Sequence, residues 1–282
     1  MTVEQTRPRR NRGRDGLIAL AVLLALAIGV ATGYFLWGRQ PDWFAGHDPN
    51  TLPPGAGNDL IRFGRELVVN TAMHIGPSAA SPEARFAGNN LACTNCHINA
   101  GLEPFAAPFV STFTSYPLVV DDRYLTLVAR INGCMTRSMN GKALPDHSRE
   151  MDAIVSYIKF VGKGAPQDVR VEGMGLKVLK PAEETPSVAR GTAIYATACA
   201  RCHGNDGLGQ KKPGTEPSYL VPPLWGSDSF NSAAGMNQPA IAAAFIRAKM
   251  PYYGMPELSR QEAWDVAALL ASKPRPERSP GP

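Results

Sequence analysis

Two short motifs carry the clearest chemistry in this chain of 282 residues. Residues 93–97 read Cys-Thr-Asn-Cys-His, and residues 199–203 read Cys-Ala-Arg-Cys-His. Two thiols at this spacing reach the two vinyl groups of one haem, and the adjacent histidine then lies under the iron as proximal ligand. The alternative is a redox dithiol, but neither motif lies near a βαβ pattern. The sequence therefore predicts two covalently attached c-type haems with their iron, the attachment cysteines being Cys93, Cys96, Cys199 and Cys202 and the proximal ligands His97 and His203.

Helical patterns flank the first motif. Apolar residues at 60–67 recur with helical spacing before it, and Ser148 can cap a closing helix whose apolar stripe runs over 151–161. The second half repeats this order, with a stripe at 191–198 and a capping box of Ser259 and Glu262 before the stripe at 263–270. Each half thus resembles a class I cytochrome c domain. The predicted fold is mainly α, with two such domains, each enclosing one covalently bound haem, after an N-terminal transmembrane helix.

Cys134 is the fifth cysteine and has no cysteine partner left. It could be a buried apolar residue or form an intermolecular disulfide. It also lies where a class I domain normally presents its distal methionine, so it could be the distal ligand of the first haem. Met135 and Met139 compete for that role. Arg130, Arg137 and Ser138 lie within four residues of the thiol, and arginine forks suit small oxyanions.

The second haem has several candidate distal ligands. Met250 lies nine residues before the Ser259 cap, in the position that a class I domain uses, while Met236 and Met255 are alternatives. The amine of Lys249 is a further candidate if it is deprotonated, and otherwise a solvated surface charge. The three remaining histidines are less apt as ligands: His47 and His147 are expected in solvent, and His74 is a minor candidate for an iron ligand.

The segment 130–145 (Arg-Ile-Asn-Gly-Cys, then Arg-Ser-Met-Asn-Gly-Lys-x-Leu-Pro) resembles the dihaem thiosulfate dehydrogenase family. So do the Pro-Pro-Leu-Trp-Gly run at 222–226, the segments 229–231 and 234–236, and the Ala-Lys-Met-Pro run at 248–251. The resemblance implies a first haem with His97 and Cys134 as axial ligands, and an anion site that includes Arg130 and Ser138. It also implies that Lys249 and Met250 can exchange at the second haem with redox state.

The resemblance leads to a functional hypothesis: two thiosulfate ions are joined into tetrathionate and the electrons leave through both haems. Cys134, Arg130 and Ser138 would be the catalytic residues, with Arg137 or Arg123 adding positive charge. The acceptor would be a periplasmic or membrane partner such as a cytochrome c or a terminal oxidase. One alternative is a membrane-anchored dihaem electron carrier without enzymatic activity, and another is the reverse reaction, as a tetrathionate reductase.

Charge and hydropathy suggest where the protein works. Of the net charge of +5, most lies in residues 1–15, which hold five arginines; because no long basic run remains elsewhere, a nucleic-acid surface is not expected. Residues 16–37 are 22 uncharged residues, which as a helix span about 33 Å and match a bilayer core. A cleaved signal peptide is the alternative. The arginines favour a single-pass helix in the cytoplasmic (inner) membrane, with the N-terminus inside and the haem domains in the periplasm.

The expected domain organisation follows from these patterns. It comprises a basic cytoplasmic tail at 1–15, a transmembrane anchor at 16–37, a tether at 38–56, an N-terminal cytochrome c domain with the active-site haem at 57–162, a linker at 163–187, a C-terminal cytochrome c domain with the electron-transfer haem at 188–273, and a disordered tail at 274–282.

Overall fold

The computed structural model describes residues 12–37, 43–45, 47–110, 112–120, 122–167, 169–214, 217–253 and 257–278. The chain divides into two compact units, Met1–Asp42 and Trp43–Pro282. In the first unit, helix α1 covers Arg12–Trp37 and leaves the side chains of Leu17, Val22 and Ile28 exposed. Within the described part of the chain, no helix is both long and apolar enough to cross a membrane. The predicted transmembrane helix is therefore not confirmed.

The second unit is mainly helical. Its helices are α2 (Ala56–Val69), α3 (Thr71–Ile75), α4 (Ile98–Gly101), α5 (Leu127–Arg137), α6 (Arg149–Val161), α7 (Val188–Ile194), α8 (Ala200–His203), α9 (Pro239–Lys249) and α10 (Arg260–Ala271). A π-helical turn, Tyr195–Cys199, joins α7 to α8. Single 3₁₀ turns lie at Pro49–Thr51, Pro82–Ala84, Cys93–Asn95, Phe113–Ser115 and Gly235–Asn237. Two antiparallel hairpins pair β1 (Leu118–Val120) with β2 (Arg123–Leu125) and β3 (Gln210–Lys211) with β4 (Tyr219–Val221).

The first cytochrome domain is built on the crossing of α2 and α6. The two helices approach so closely that a Cβ on Gly64 would lie 2.0 Å from the Ala153 carbonyl oxygen. The predicted stripes of both helices supply the core, in which Leu67, Met151 and Tyr157 are fully buried. As predicted, Ser148 caps α6 by accepting a hydrogen bond from the Met151 N–H at 3.2 Å.

The second domain repeats this crossing with α7 and α10. Here a Cβ on Gly191 would lie 2.1 Å from the Asp265 carbonyl oxygen. The predicted capping box is present, because the Glu262 N–H donates to Ser259 Oγ and the Ser259 N–H donates to the Glu262 carboxylate. Both domains thus use a glycine in the first helix to bring the closing helix into contact.

Two further helices form in stretches for which the sequence analysis identified no helical stripe. Helix α5 begins after Thr126, whose hydroxyl accepts from the Ala129 N–H at 3.1 Å. Helix α9 begins with Pro239 at its first position, where the N–H that proline lacks would have no partner within the helix. These helices carry Cys134 and Lys249.

The segments outside the domains also pack. Pro49 is buried, and Arg62 of α2 donates to the Leu52 and Pro53 carbonyls, so residues 47–55 do not form the open tether expected there. At the other end, Arg275 donates to the Leu224 and Leu270 carbonyls. The expectation of a disordered tail is therefore wrong for residues 274–278. Residues 1–11, 38–42, 46 and 279–282 of the predicted tails and tether lie outside the described residues.

Candidate haem and anion site

A cavity of about 540 Å³ lies in the first domain beside the first Cys-x-x-Cys-His motif. Its wall includes Cys93, Cys96 and His97, and most of the other lining side chains are apolar. One face of α5 forms another part of the wall. Arg130, Cys134 and Ser138 are spaced four residues apart along the chain, so they lie on the same side of the helix. The three predicted catalytic residues therefore face the cavity that holds the attachment motif.

The proximal histidines have the orientation that an iron ligand requires. The Nδ1 of His97 lies 2.6 Å from the Ala107 carbonyl oxygen, and that of His203 lies 2.9 Å from the Pro222 carbonyl oxygen. Because a carbonyl only accepts, Nδ1 carries the proton and Nε2 keeps the lone pair. Burial lowers the pKa of both histidines, and Arg130 lowers that of His97 further. Both rings are therefore neutral at pH 7, as ligands must be.

The two thiols of the first motif are half-buried in the cavity wall. Burial raises the pKa of Cys93 to about 11 and that of Cys96 to about 12. Cys134, which lines the same cavity, raises both pKa values further. Thr71 fixes Cys93, because its hydroxyl accepts from the Cys93 N–H at 3.1 Å while it donates to the Leu67 carbonyl at 2.7 Å. Nothing in the sequence pattern pointed to Thr71.

Three sulfur-bearing side chains other than the attachment cysteines line this cavity from the α5 region. Cys134 is half-buried, whereas Met135 and Met139 are only 2% and 3% exposed. Both methionines therefore lie beside the cavity and remain alternatives to the Cys134 thiol as distal ligand of the first haem. The assignment of Cys134 as distal ligand stays a prediction.

The cavity's charge comes from two arginines. Arg130 lies against the Tyr116 hydroxyl, and both side chains line the cavity. Arg137 turns away, since its Nε donates to the Gly133 carbonyl at 2.8 Å, and Arg123 lies on the exposed strand β2. Neither lines the cavity, so the prediction that they assist Arg130 gains no support from the structure. Arg170, from the segment between the domains, lines it instead.

The second domain contributes to the same cavity through Phe230 and Met236. Around them, the Asn89 side chain donates to the Ser229 carbonyl at 3.1 Å, and the Asn231 side chain donates to the Thr136 carbonyl at 2.9 Å. Met236 also packs against the small cluster of Ile98 and Phe245 that Met250 contacts, so its place as an alternative ligand for the second haem stays a prediction. The segments 229–231 and 234–236 thus form part of the first site.

Around the second motif, Cys199 is half-buried and Cys202 is exposed. Met250 packs against both the second-domain core and a small cluster that contains Ile98 and Phe245. Lys249 pairs with Glu103 at 2.5 Å, and its side chain is only 12% exposed, so it is not the solvated charge considered above. Met255 lies outside the described residues. The choice between Met250 and Lys249 stays a prediction.

The other three histidines lie away from the cavity. His147 is exposed, as expected. His47 is half-buried and packs edge-on against Phe160, and His74 packs edge-on against Phe63 with ring centroids 5.9 Å apart. His74 does not line the cavity, so the structure gives no support to it as an iron ligand.

A c-type haem fits these residues. The first cavity brings two motif thiols and a histidine lone pair to an apolar space, and the second motif presents the same donor set with its histidine held in the same way. Within the described residues, no cluster of three or more histidine, cysteine or carboxylate groups forms a separate metal site.

Comparison with known proteins agrees with this architecture. Residues 83–167 match the family described as SoxA/TsdA, cytochrome c domain, and residues 188–273 match the family described as Cytochrome c. The protein is therefore a cytochrome with two c-type haem domains. The chain belongs to the thiosulfate dehydrogenase family: it is 40% identical over 271 residues to the thiosulfate dehydrogenase of Allochromatium vinosum, covering 93% of this chain and 96% of that protein.

Two further relatives support the family assignment. The thiosulfate dehydrogenase of Stutzerimonas stutzeri is 35% identical over 242 residues, covering 85% of this chain and 75% of that protein. The solved structure of thiosulfate dehydrogenase (TsdBA) from Marichromatium purpuratum, in its "as isolated" form, matches with a TM-score of 0.74 and 35% identity over 81% of this chain. This chain spans about half of that longer chain, 49% of its length.

Proposed function

We propose that this chain is a thiosulfate dehydrogenase, which joins two thiosulfate ions into tetrathionate and passes two electrons through its haems to an external acceptor. One observation carries the proposal: Cys134, Arg130 and Ser138 share a cavity with the first haem-attachment motif. A protein that only carries electrons needs neither a thiol nor an arginine there. The thiosulfate dehydrogenase names of its relatives support the same substrate.

The main electrostatic obstacle is the repulsion between two dianions. Arg130 offsets it, because a guanidinium binds two oxygens of a sulfonate at once. Ser138 donates a hydrogen bond to a sulfonate oxygen of the same ion. No aspartate or glutamate lines the cavity within the described residues, so the positive charge of Arg130 is available to the substrate.

Cys134 carries the covalent chemistry. Its thiolate sulfur forms an S–S bond with the outer sulfur of one thiosulfate, and two electrons leave. The outer sulfur of the second thiosulfate then attacks the substrate-derived sulfur of that bond. The bond to Cys134 breaks, its electron pair returns to Cys134 as thiolate, and tetrathionate departs. When bound, the two haems supply the acceptors for the two electrons, one each.

The axial ligands belong to this proposal. His97 and Cys134 would hold the iron of the first haem in the resting protein. His203, with Met250 or Lys249, would hold that of the second haem. A methionine ligand would give the second haem the higher reduction potential, which would favour electron flow toward it from a thiolate-ligated first haem. An outside partner such as a cytochrome c or a terminal oxidase then takes them.

In this proposal, residues 16–37 serve as a single-pass anchor in the cytoplasmic membrane, with both cytochrome domains in the periplasm. The absence of charged residues from this stretch and the exposed leucine, valine and isoleucine side chains of α1 support this role. Washing membranes with high salt and alkaline carbonate should leave the full-length protein bound. Release of uncleaved protein by that wash would refute the anchor.

The enzymatic proposal is tested by mixing the oxidised holoprotein with thiosulfate in the absence of oxygen. An enzyme should show prompt reduction of haem absorbance together with formation of tetrathionate. A carrier without thiosulfate chemistry should stay oxidised until a reduced protein partner is added, and that result would refute the proposal. Because a catalyst accelerates both directions, the reduced protein should also be reoxidised by tetrathionate.

A further inference from the structure

The segment between the two cytochrome domains does more than connect them. Residues 169, 170, 174 and 175 of this segment line the cavity of the first haem. It is fastened to the loop that follows His97, because the Phe105 N–H donates to the Gly173 carbonyl at 2.6 Å and the Ala107 N–H donates to the Gly175 carbonyl at 3.0 Å. Since the Ala107 carbonyl holds the His97 ring, the segment is positioned relative to the proximal ligand.

Within this segment, Arg170 is held by the backbone and not by a carboxylate. Its guanidinium donates to the Met174 carbonyl at 3.0 Å and to the Leu176 carbonyl at 3.4 Å. These neutral partners leave its positive charge uncompensated within the described residues. Arg130 and Arg170 are the two formally charged side chains among the described residues that line the cavity.

The reaction needs two cationic subsites because both of its substrates are dianions. Arg130 and Ser138 lie on α5 and can hold one sulfonate, but a second sulfonate beside the first would meet only repulsion without another cation. Arg170 comes from a different element and supplies that cation. Tetrathionate has a sulfonate at each end, and the two arginines that line the cavity come from different elements.

We propose that Arg170 is a substrate-binding residue: it holds the sulfonate of one thiosulfate while Arg130 and Ser138 hold that of the other. This assignment rests on the proposed function. In the second half of the reaction, the thiosulfate on Arg170 attacks the sulfur that is bonded to Cys134. The new S–S bond forms as the old one breaks, and the electron pair returns to Cys134.

The experiment measures the binding of sodium tetrathionate to the oxidised holoprotein by calorimetry, a condition without turnover. The Arg170→Gln protein should bind tetrathionate about tenfold more weakly than wild type, since it loses a charge-assisted contact. Arg170→Lys should recover part of this loss. The control is Arg85→Gln, because Arg85 also donates to a backbone carbonyl, that of Ala79, but does not line the cavity. Haem absorbance and Tm should match wild type in all three variants.

Two results would overturn the role of Arg170: tetrathionate binding by Arg170→Gln within twofold of wild type, or an equal loss in Arg85→Gln. The proposed function has a separate readout, the reduction of wild-type haem by thiosulfate. If wild-type haem is reduced and Arg170→Gln binds normally, only the role of Arg170 fails. If wild-type haem is not reduced, the proposed function itself fails.

Discussion

At the scale of single residues, the helical spacing of Arg130, Cys134 and Ser138 explains why sequence reasoning could group them. Positions four residues apart lie on one face of a helix, so their common exposure to the cavity follows from local structure. Arg170 and Tyr116 could not be grouped in this way. They reach the cavity from distant segments, and no local pattern brings those segments together.

Arg130 should contribute mainly to substrate binding. Replacing it with alanine removes a charged hydrogen-bond donor worth about 1.5–3 kcal/mol, which corresponds to a fall in kcat/KM for thiosulfate of about tenfold to hundredfold. Steady-state reduction of an added acceptor measures this loss. The matched control is Arg65→Ala on α2, whose charge lies outside the cavity. Equal activity of Arg130→Ala and wild type would remove Arg130 from the site.

At the scale of elements, the structure depends on two helix crossings at glycine. Gly64 and Gly191 lie within the apolar stripes that the sequence shows, and each permits contact with a closing helix. Helix α5 was not identified from the sequence, although its buried residues Leu127, Ile131 and Met135 recur every four positions. In the sequence, this stretch stands out for the chemistry of residues 130, 134 and 138, which line the cavity, and not for its apolar spacing.

Two substitutions in α2 test the crossing. A methyl group added by Gly64→Ala would meet the Ala153 backbone at 2.0 Å, so the helices must separate, at a cost of about 1–3 kcal/mol or more. Gly57→Ala is the matched control, because its added Cβ meets nothing within 4 Å. Its Tm should be unchanged or slightly raised. Thermal unfolding, monitored by circular dichroism, gives the Tm of both variants. Equal Tm values would show that the close approach of α2 and α6 is not needed for stability.

At the scale of the whole molecule, both cytochrome domains contribute residues to the first cavity, and hydrogen bonds join them beside it. Asp228 of the second domain accepts from the Asn90 N–H of the first at 2.9 Å, and it also binds the Tyr219 hydroxyl and Lys211. Burial alone would raise the pKa of Asp228, but the hydrogen bonds from Tyr219, Asn90 and Lys211 lower it below 3.8. The contact between Asn90 and Asp228 joins residues 138 positions apart, so sequence periodicity could not have indicated it.

The Asp228 contact predicts a pH-dependent stability. Because the folded-state pKa is lowered, the stabilisation is complete above the ordinary value of 3.8 and is lost as the pH falls through the folded-state pKa. Asp228→Asn should cost about 1–3 kcal/mol at neutral pH. Its Tm deficit should shrink as the pH falls below about 4, because wild type then loses the same charge.

Thermal unfolding of both proteins at several pH values measures this effect. Glu257→Gln, which removes an exposed carboxylate paired with Arg247, serves as control and should change little. A Tm deficit of Asp228→Asn that stays constant from neutral pH to the acid limit would show that the Asp228 charge does not hold the domains together.

The central claim is that the Cys134 sulfur closes the sixth coordination position of the first haem. Electron paramagnetic resonance of the oxidised holoprotein tests it most directly, with Cys134→Met compared against Met139→Leu, a variant at a rival sulfur on the same cavity wall. Wild type and Met139→Leu should show a thiolate-ligated low-spin ferric haem. The Cys134→Met protein should keep both haems but lose the thiolate signal. Thiosulfate should no longer reduce its haems. A wild-type spectrum without a thiolate signal, or its survival in Cys134→Met, would contradict the account.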